Sequence, residues 1–332
     1  MFSESFPTMT PVPTTLRVHQ FAGLAPGPRL LVLGAVHGNE TCGSRGMARL
    51  LAELDAGTLA LSCGTLTLVP ITNPLAYLKQ QRNGDRNLNR NLRPTAEPQD
   101  FEDRIANVLC PLLASHDVLL DLHSFQSVGQ AFAMIGPANN SGTLQPFALA
   151  EQEQALVLRL GVRRIVEGWL DTYAVGVAAR LARTPASDRA GLLSTDPEYG
   201  VGTTEYMRRH GGCAITLECG QHDDPAGPEL AYQAIRRTLA QLGLVAEPAP
   251  EPCPEPEFLR LAEVVDRYHA GDEFAKVWSS FDPLREGELV AVRHDGEPVL
   301  APRDGYIVFP NAKAAPGNEW FYFADRSPRA LS

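Results

Sequence analysis

A histidine and a glutamate stand three positions apart in GAVHGNE, a segment that ends an apolar run typical of a buried strand. At this spacing, where the chain turns into a helix, the side chains of His37 and Glu40 can converge on one ion. A second histidine, His123, stands at the end of another apolar run, VLLDLHS. Two imidazoles and one carboxylate, with water in the fourth position, are the standard composition of a hydrolytic zinc site. These three residues are therefore predicted to bind zinc.

A zinc-activated water needs a general base, and Glu218 ends a third apolar run in ITLECGQH. The functional interpretation makes Glu218 that base. It also makes Asp121, on the same strand face as His123, the group that orients the histidine ring. Structural alternatives stay open for both sites, namely a core histidine satisfied by hydrogen bonds and a glutamate paired with an arginine at the sheet edge. His222 is interpreted as a polar loop residue.

A cluster of positive charge lies in residues 78–95, which hold five basic side chains and the single acid Asp85, a net charge of +4 (five minus one) in a protein of net charge -10. In many proteins such a run of charge is only a solvent-exposed part of the surface. This one contains asparagine and glycine but little helical periodicity, so it predicts an ordered polar loop. Arginine side chains bind carboxylates through two parallel hydrogen bonds, and the loop therefore suits an anionic substrate.

Four motifs, in their order and spacing, resemble the succinylglutamate desuccinylase/aspartoacylase family, a group related to the zinc carboxypeptidases. The motifs are HGNE, LHS, LECG and the combination of Arg82 with NLNR. The resemblance covers residues 28–245 and, in part, the C-terminal region. It implies one zinc ion per chain on His37, Glu40 and His123, with Glu218 as the general base.

The same resemblance implies roles for the arginine loop. Arg82 matches the arginine that polarises the scissile carbonyl, and Asn89 and Arg90 match the pair that binds the substrate α-carboxylate. Arg208 stands ten residues before Glu218, the spacing of an arginine that grips a side-chain carboxylate in aspartoacylase-like members. The HGG that follows it departs from the family pattern.

The composition changes at residues 247–257, EPAPEPCPEPE, a run that favours extended chain and marks a linker or domain seam. We predict a catalytic domain over residues 1–246 and a small β-domain over residues 258–332. The latter resembles a lipoyl-type module without the modified lysine, and it is expected to cover the cleft. Its NEWFYF segment resembles the one from which aspartoacylase extends a tyrosine into the site, and Tyr322 takes that position. The alternative is a tyrosine packed inside the β-domain.

The elements that must position these residues alternate along the chain. Apolar runs predict strands, amphipathic spacing predicts helices, and their alternation indicates a mainly parallel or mixed sheet covered by helices on both faces. The predicted strands cover residues 30–36, 65–71, 118–122, 131–135 and 213–217, and the predicted helices cover residues 44–53, 100–114 and 156–181. The fold class is thus α/β, like the zinc carboxypeptidases, with a small C-terminal β-domain.

Composition excludes several partners. The net charge of -10 argues against nucleic acid and anionic membranes, which repel an acidic surface. The sequence shows neither a signal peptide nor a transmembrane run, and its six cysteines form no CxxC pair, so a cytoplasmic protein with reduced thiols is expected. The expected partner is a small anionic N-acyl amino acid. The oligomeric state is left open, a homo-oligomer included.

The predicted function is zinc-dependent hydrolysis of the amide bond of an N-acyl amino acid, of the desuccinylase or deacetylase type. A zinc carboxypeptidase that acts on a peptide C-terminus needs the same centre, and an open rather than a roofed cleft would distinguish it. A non-catalytic binding protein on the same fold is the alternative of another class. The loss of Glu218 or of a zinc ligand would favour it, and none is lost.

Overall fold

The computed structural model describes residues 12–185, 187 and 195–329. The first eleven residues of the predicted catalytic domain and the last three of the predicted β-domain lie outside this range. Among the described residues, no helix is both long and apolar enough to span a membrane.

Strands of the N-terminal part form one mixed sheet. Its order is β1-β3-β2-β4-β7-β5-β6, with β1 antiparallel to β3, β5 antiparallel to β7, and the other neighbours parallel. These strands are β1 (His19–Ala22), β2 (Arg29–Gly34), β3 (Thr65–Val69), β4 (Val118–Phe125), β5 (Phe132–Met134), β6 (Arg164–Glu167) and β7 (Cys213–Gln221).

Helices cover both faces of this sheet, as the near-continuous burial of the central strands requires. One face packs against α1 and α7 and the other against α3 and α6, each through a separate apolar core. The helices are α1 (Cys42–Asp55), α2 (Pro74–Lys79), α3 (Phe101–Ala114), α4 (Ala150–Val157), α5 (Trp169–Arg183), α6 (Thr203–Arg209) and α7 (Gly227–Gln241).

The C-terminal strands continue the same sheet. Strand β8 runs parallel to β6 and antiparallel to β14, and β13 and β10 follow outward, so that eleven strands form one sheet; β12, β11 and β9 form a second, smaller one. These strands are β8 (Glu257–Asp266), β9 (Glu273–Phe274), β10 (Pro283–Leu284), β11 (Leu289–Val292), β12 (Pro298–Leu300), β13 (Gly305–Val308) and β14 (Glu319–Arg326). The predicted α/β class with a C-terminal β region is confirmed.

The predicted helix over residues 156–181 is wrong. The structure has two helices there, α4 and α5, separated by strand β6. Gly161 and Gly168, both with positive φ (102° and 89°), bracket the strand and end the helical conformation on each side. The apolar residues of RIVE belong to a buried strand, which short-range periodicity does not distinguish from a buried helix.

Candidate metal centre and active site

The turn between β2 and α1 carries His37 and Glu40. Strand β2 ends at Gly34, and the chain turns before α1 begins, so both side chains lie at the carboxyl end of the sheet. Gly38 lies against helix α2: a Cβ atom there would approach the carbonyl carbon of Ala76 to 2.0 Å. The glycine in HGNE is therefore required by close backbone packing.

Strands β4 and β7 carry the third candidate ligand and the candidate base. His123 and Glu218 are partners in the parallel register of these strands. Both strands are longer than predicted, so both residues lie within strands and not after them. Asp121 Oδ2 lies 3.0 Å from His123 Nε2, and it also accepts a hydrogen bond from Thr203 Oγ1 (2.5 Å). This is the orienting position that the shared strand face predicts.

The Glu40 carboxylate lies between the two histidines. Its Oε1 is 2.9 Å from His37 Nδ1 and its Oε2 is 2.8 Å from His123 Nδ1. One ligand atom from each of the three residues lies within 4.8 Å of the others, and all three residues are buried. The buried His37 Nδ1 has no partner with hydrogen-bond geometry. An unsatisfied buried nitrogen beside a carboxylate and a second imidazole fits a zinc ion.

The protonation states of two of these groups suit a cation. Burial, followed by the positive charge of Arg82, lowers the pKa of His37 to about 4, so its imidazole is neutral at pH 7. Burial opposes the ionisation of Glu40, but the two histidines outweigh it and hold the pKa of this carboxyl well below its usual range. A neutral imidazole and a charged carboxylate are the forms that ligate zinc.

Asn87 completes the surroundings of His37, and sequence analysis did not single it out. Its Oδ1 lies 3.0 Å from His37 Nε2 and also accepts a hydrogen bond from the backbone nitrogen of Asn89 (2.9 Å). With Nε2 engaged in this way, Nδ1 is the nitrogen left for a metal. The polar loop that contains NLNR was the only available signal.

Glu218 is a buried carboxylate, and it is the register partner of His123 on the neighbouring strand. It is 8% exposed, and its Oε2 has no hydrogen-bond partner among the residues that the structure describes. Burial raises the pKa of Glu218 to about 8. A carboxyl group poised near neutral pH and without a structural partner has the properties of a general base. The alternative of an ion pair with a sheet-edge arginine is not what the structure shows: no such pair is present among the described residues.

The arginines of the loop have different surroundings. Arg82 is half-exposed, and its Nη1 donates to Glu40 Oε1 (2.9 Å). Arg90 is buried, its guanidinium lies over the ring of Trp169, and its Nη2 is 3.6 Å from Glu319 Oε1.

Asn89 faces the N-terminus of α6, where its Oδ1 accepts from the backbone nitrogen of Thr203 (2.8 Å). Gly202 makes this approach feasible, because a Cβ there would lie 2.0 Å from that oxygen. No described residue accepts a hydrogen bond from the side-chain NH₂ of Asn89, and Asn89 and Arg90 line the cavity together.

One cavity of about 280 Å³ joins all of these groups. Its lining includes every site residue predicted from the sequence: His37, Glu40, Arg82, Asn89, Arg90, His123, Arg208, Glu218 and Tyr322. His222, predicted as a polar loop residue, also lines it and bonds through Nδ1 to Ser124 Oγ (2.9 Å).

The C-terminal region forms part of the cavity wall through Phe309, Glu319 and Tyr322. Tyr322 lies on β14 and is buried, with its ring 5.7 Å from that of Trp169. Its hydroxyl has no hydrogen-bond partner among the described residues. Tyr322 therefore packs in an apolar cluster and also borders the cavity, so the two sequence interpretations are compatible.

Arg208 borders the cavity, but its guanidinium is engaged by the protein. Nε donates to Glu153 Oε2 (3.1 Å), Nη1 to Glu205 Oε1 (3.4 Å) and Nη2 to the carbonyl oxygen of Ala214 (2.6 Å). The side chain is 3% exposed. The sequence did not indicate Glu153, because it lies on α4, whose placement next to Arg208 depends on the tertiary fold. Glu205 stands three residues before Arg208 on α6, a spacing at which helical side chains interact.

A further residue that the sequence did not indicate is Glu102, in the first turn of α3. Its fully buried carboxylate accepts hydrogen bonds from Asn73 Nδ2 (2.8 Å) and from the backbone nitrogens of Gly84 (2.9 Å), Asp85 (3.1 Å) and Arg86 (3.2 Å). Glu102 thereby anchors the start of the arginine loop to a rigid helix.

The position of the site defines the class: an α/β protein with a polar, ligand-sized cavity at the carboxyl ends of its parallel strands, where such sheets bind ligands. Residues 26–158 match the family model described as "Succinylglutamate desuccinylase/Aspartoacylase catalytic domain". This match confirms the resemblance predicted from the motifs. The matched segment holds His37, Glu40 and His123, whereas Glu218 lies beyond it.

Solved structures share the fold over nearly the whole chain. A succinylglutamate desuccinylase/aspartoacylase from Rhodobacter sphaeroides is 16% identical, with a TM-score of 0.69, and the match covers 94% of this chain and 90% of that one. The ectoine utilization protein EutE (DoeB) from Ruegeria pomeroyi is 20% identical, with a TM-score of 0.66 and coverage of 93% and 88%. An aspartoacylase family protein from Mesorhizobium loti is 22% identical, with a TM-score of 0.65 and coverage of 95% and 90%. No curated protein matches the chain.

Proposed function

We propose that this protein is a zinc-dependent hydrolase that cleaves the amide bond of a small N-acyl amino acid and releases a carboxylate and the free amino acid. One observation carries the proposal: the three candidate zinc ligands, the buried Glu218 and two arginines with free donors line one small cavity. The match of residues 26–158 to the desuccinylase/aspartoacylase catalytic domain supports the same reaction class.

His37, Glu40 and His123 would hold the metal. Zinc bound there supplies a Lewis acid for the amide carbonyl and lowers the pKa of water. Two imidazole nitrogens and a carboxylate favour zinc over magnesium or calcium, which prefer oxygen ligands. Asp121 and Asn87 would orient the two rings, because an oxygen of each lies 3.0 Å from a ring Nε2 atom.

Glu218 moves the proton in this mechanism. Its carboxylate takes a proton from the attacking water as the water oxygen bonds to the carbonyl carbon. The same group then delivers that proton to the amide nitrogen as the carbon–nitrogen bond breaks. Such proton transfer typically contributes a rate factor of about 10² to 10⁴. Its Oε2 has no other hydrogen-bond partner, which leaves it free for this role.

Two arginines supply positive charge at different points. Arg82, half-exposed beside Glu40, is placed to stabilise the negative charge that develops on the carbonyl oxygen. Arg90 and Asn89, which stand together further along the cavity wall, are assigned to the α-carboxylate. The cation–π contact of Arg90 with Trp169 (4.7 Å to the ring centroid) fixes the plane of its guanidinium.

The rival function, a zinc carboxypeptidase, requires an open cleft for a peptide chain. Here Phe309, Glu319 and Tyr322 of the C-terminal region line the cavity, whose volume of about 280 Å³ suits a small molecule. This wall favours a deacylase. The third candidate, a non-catalytic binding protein, is disfavoured because Glu218 and all three ligands are present and face the cavity.

A screen of N-acyl amino acids tests the proposal. Zinc-loaded protein is incubated with N-acetyl and N-succinyl amino acids and with short peptides, and the release of free amine is measured. Release from N-acyl amino acids, abolished by a chelator and restored by zinc, is the expected result. Release of a C-terminal residue from peptides alone would favour the carboxypeptidase, and no release from any compound would contradict hydrolysis.

A further inference from the structure

The cavity wall that contains Arg208 is already neutralised by the protein. Arg208 contributes one positive charge, and Glu153 and Glu205, which both accept hydrogen bonds from it, contribute two negative charges. All three side chains are at most 5% exposed. The wall therefore carries a net negative charge of one, and each guanidinium nitrogen already faces a protein acceptor.

Further hydrogen bonds fix the two glutamates in place. Glu153 also accepts from the backbone nitrogens of Gly136 (2.5 Å) and Ala214 (2.8 Å). Glu205 accepts from the backbone nitrogen of Gly202 (3.0 Å) through its other oxygen. Neither carboxylate can leave Arg208 without giving up a satisfied buried network, so a ligand carboxylate at Arg208 would lie beside two fixed negative charges.

Arg90 provides the contrast. Among the described residues it donates one hydrogen bond, from Nη1 to the carbonyl oxygen of Asn89 (2.9 Å), and its ion pair with Glu319 is longer, at 3.6 Å. A carboxylate of the ligand can therefore reach free donors of Arg90. The cavity thus offers one such anion-binding position, at Arg90 and Asn89. Its lining also includes residues that are uncharged or acidic: Met134, Ile135, Thr204, Glu205 and Thr216.

We infer that the substrate carries a single carboxylate: it is an N-acyl amino acid in which both the acyl group and the side chain lack a negative charge. The inference rests on the proposed function and narrows its substrate class. N-succinyl amino acids and N-acyl derivatives of aspartate and glutamate are excluded. With Arg82 assigned to the carbonyl oxygen and Arg90 to the α-carboxylate, their second carboxylate would lie beside Glu205 with no further free arginine. Glu205 is the residue that determines this specificity.

Matched pairs of substrates test the inference. N-Acetyl-L-asparagine and N-acetyl-L-aspartate have nearly the same shape and differ by one charge, as do N-acetyl-L-glutamine and N-acetyl-L-glutamate. With zinc-loaded protein, kcat/KM for each amide should exceed that for the acid at least tenfold. Glu205→Gln keeps the shape and the acceptor for Gly202, and should reduce this ratio at least threefold. Glu151→Gln, an exposed change on α4, should leave the ratio unchanged.

Calorimetric binding of the same four compounds to zinc-loaded Glu218→Gln protein gives a readout that does not need turnover. Tighter binding of the amides supports the inference even if no amine is released, in which case only the proposed hydrolysis fails. An acid that is hydrolysed or bound as well as its amide overturns the inference while the hydrolytic function stands. If Glu205→Gln does not fold, the comparison of each amide with its acid in the unsubstituted protein still tests the inference. Absence of both binding and turnover overturns both proposals.

Discussion

His123 and Glu218 are register partners on the neighbouring parallel strands β4 and β7. Residues paired in this way project from the same face of the sheet, and backbone hydrogen bonds fix the distance between them. The candidate metal ligand and the candidate base are thus placed relative to each other by rigid elements of the core. The arginines that surround them stand on a loop, and their positions depend on other contacts.

Glu102 is expected to be a positioning residue for that loop. In Glu102→Gln the side-chain NH₂ would face backbone N–H donors, so the loop that carries Arg82 and Arg90 should shift. A displacement of about 1 Å at an active site can lower the rate by about 10²-fold. We expect kcat/KM to fall by about 10- to 100-fold while zinc content is retained, as measured by kinetics and elemental analysis.

Asp272→Asn is a matched control for this change. Asp272 is also a buried carboxylate with four donors, namely the backbone nitrogens of Tyr268, His269 and His294 and the side chain of Arg293. None of these lines the cavity. This variant should lower the unfolding temperature but leave kcat/KM unchanged. If Glu102→Gln likewise lost only thermal stability, its assignment as a positioning residue would be wrong.

Asn87→Ala should weaken zinc binding. Without the Asn87 oxygen, His37 Nε2 loses its partner and the ring is free to rotate, and loss of such outer contacts typically lowers metal affinity by about 10- to 100-fold. Competition with a chromophoric chelator measures the affinity. A His37→Ala, His123→Ala double variant should retain no zinc at this site. It therefore gives the lower limit of the measured zinc affinity. Unchanged affinity in Asn87→Ala would show that the contact does not orient the ligand.

The pH dependence of kcat/KM should show an acidic limb above the ordinary glutamate range. Burial raises the pKa of Glu218 from 4.5 to about 8, whereas bound zinc acts in the opposite direction by favouring the carboxylate. The base works only when deprotonated, so activity is lost as the pH falls through its pKa. The midpoint of this acidic limb is expected between the ordinary glutamate pKa of 4.5 and the raised value of about 8. A profile that stayed flat down to pH 4 would contradict the role of a buried carboxylate as base.

Tyr322→Phe should lower kcat/KM by about 10- to 100-fold, with little effect on stability. The hydroxyl has no partner in the described part of the chain, so its removal costs the fold little, whereas loss of one hydrogen-bond donor to the substrate at a buried site costs about 1–3 kcal/mol. Tyr268→Phe, at a half-exposed position away from the cavity, is the control. Full activity of Tyr322→Phe would assign the ring to packing against Trp169 alone.

Much of the metal centre was predictable because its residues end apolar runs. His37, Glu40, His123 and Glu218 all lie at the carboxyl ends of buried strands, and parallel strands bring those ends to one edge. The arginine loop was recognisable as an excess of positive charge. The residues that hold it were not, because Glu102 in isolation is one of several acids in a helical first turn.

Long-range pairing explains the other differences. Strand β6 was taken for part of a helix, since four apolar-rich residues fit either pattern, and its partner β8 follows about ninety residues later, beyond the Pro-Glu run. The contact of Arg208 with Glu153 joins α6 to α4, and no local spacing indicates it, whereas Glu205 stands three residues before Arg208 on the same helix. Local sequence therefore indicated the candidate groups, whereas tertiary structure decides which of them remain free for a ligand.

The most direct test of zinc-dependent deacylation is the activity of Glu218→Gln, measured as free amine release from the best N-acyl amino acid, together with its zinc content. The substitution removes the proton acceptor but none of the three zinc ligands. The account predicts one zinc per chain, near-unchanged substrate binding and a fall in kcat of at least about 10²-fold. A variant that keeps its zinc and most of its kcat would contradict the assignment of Glu218 as the base and, with it, the proposed mechanism.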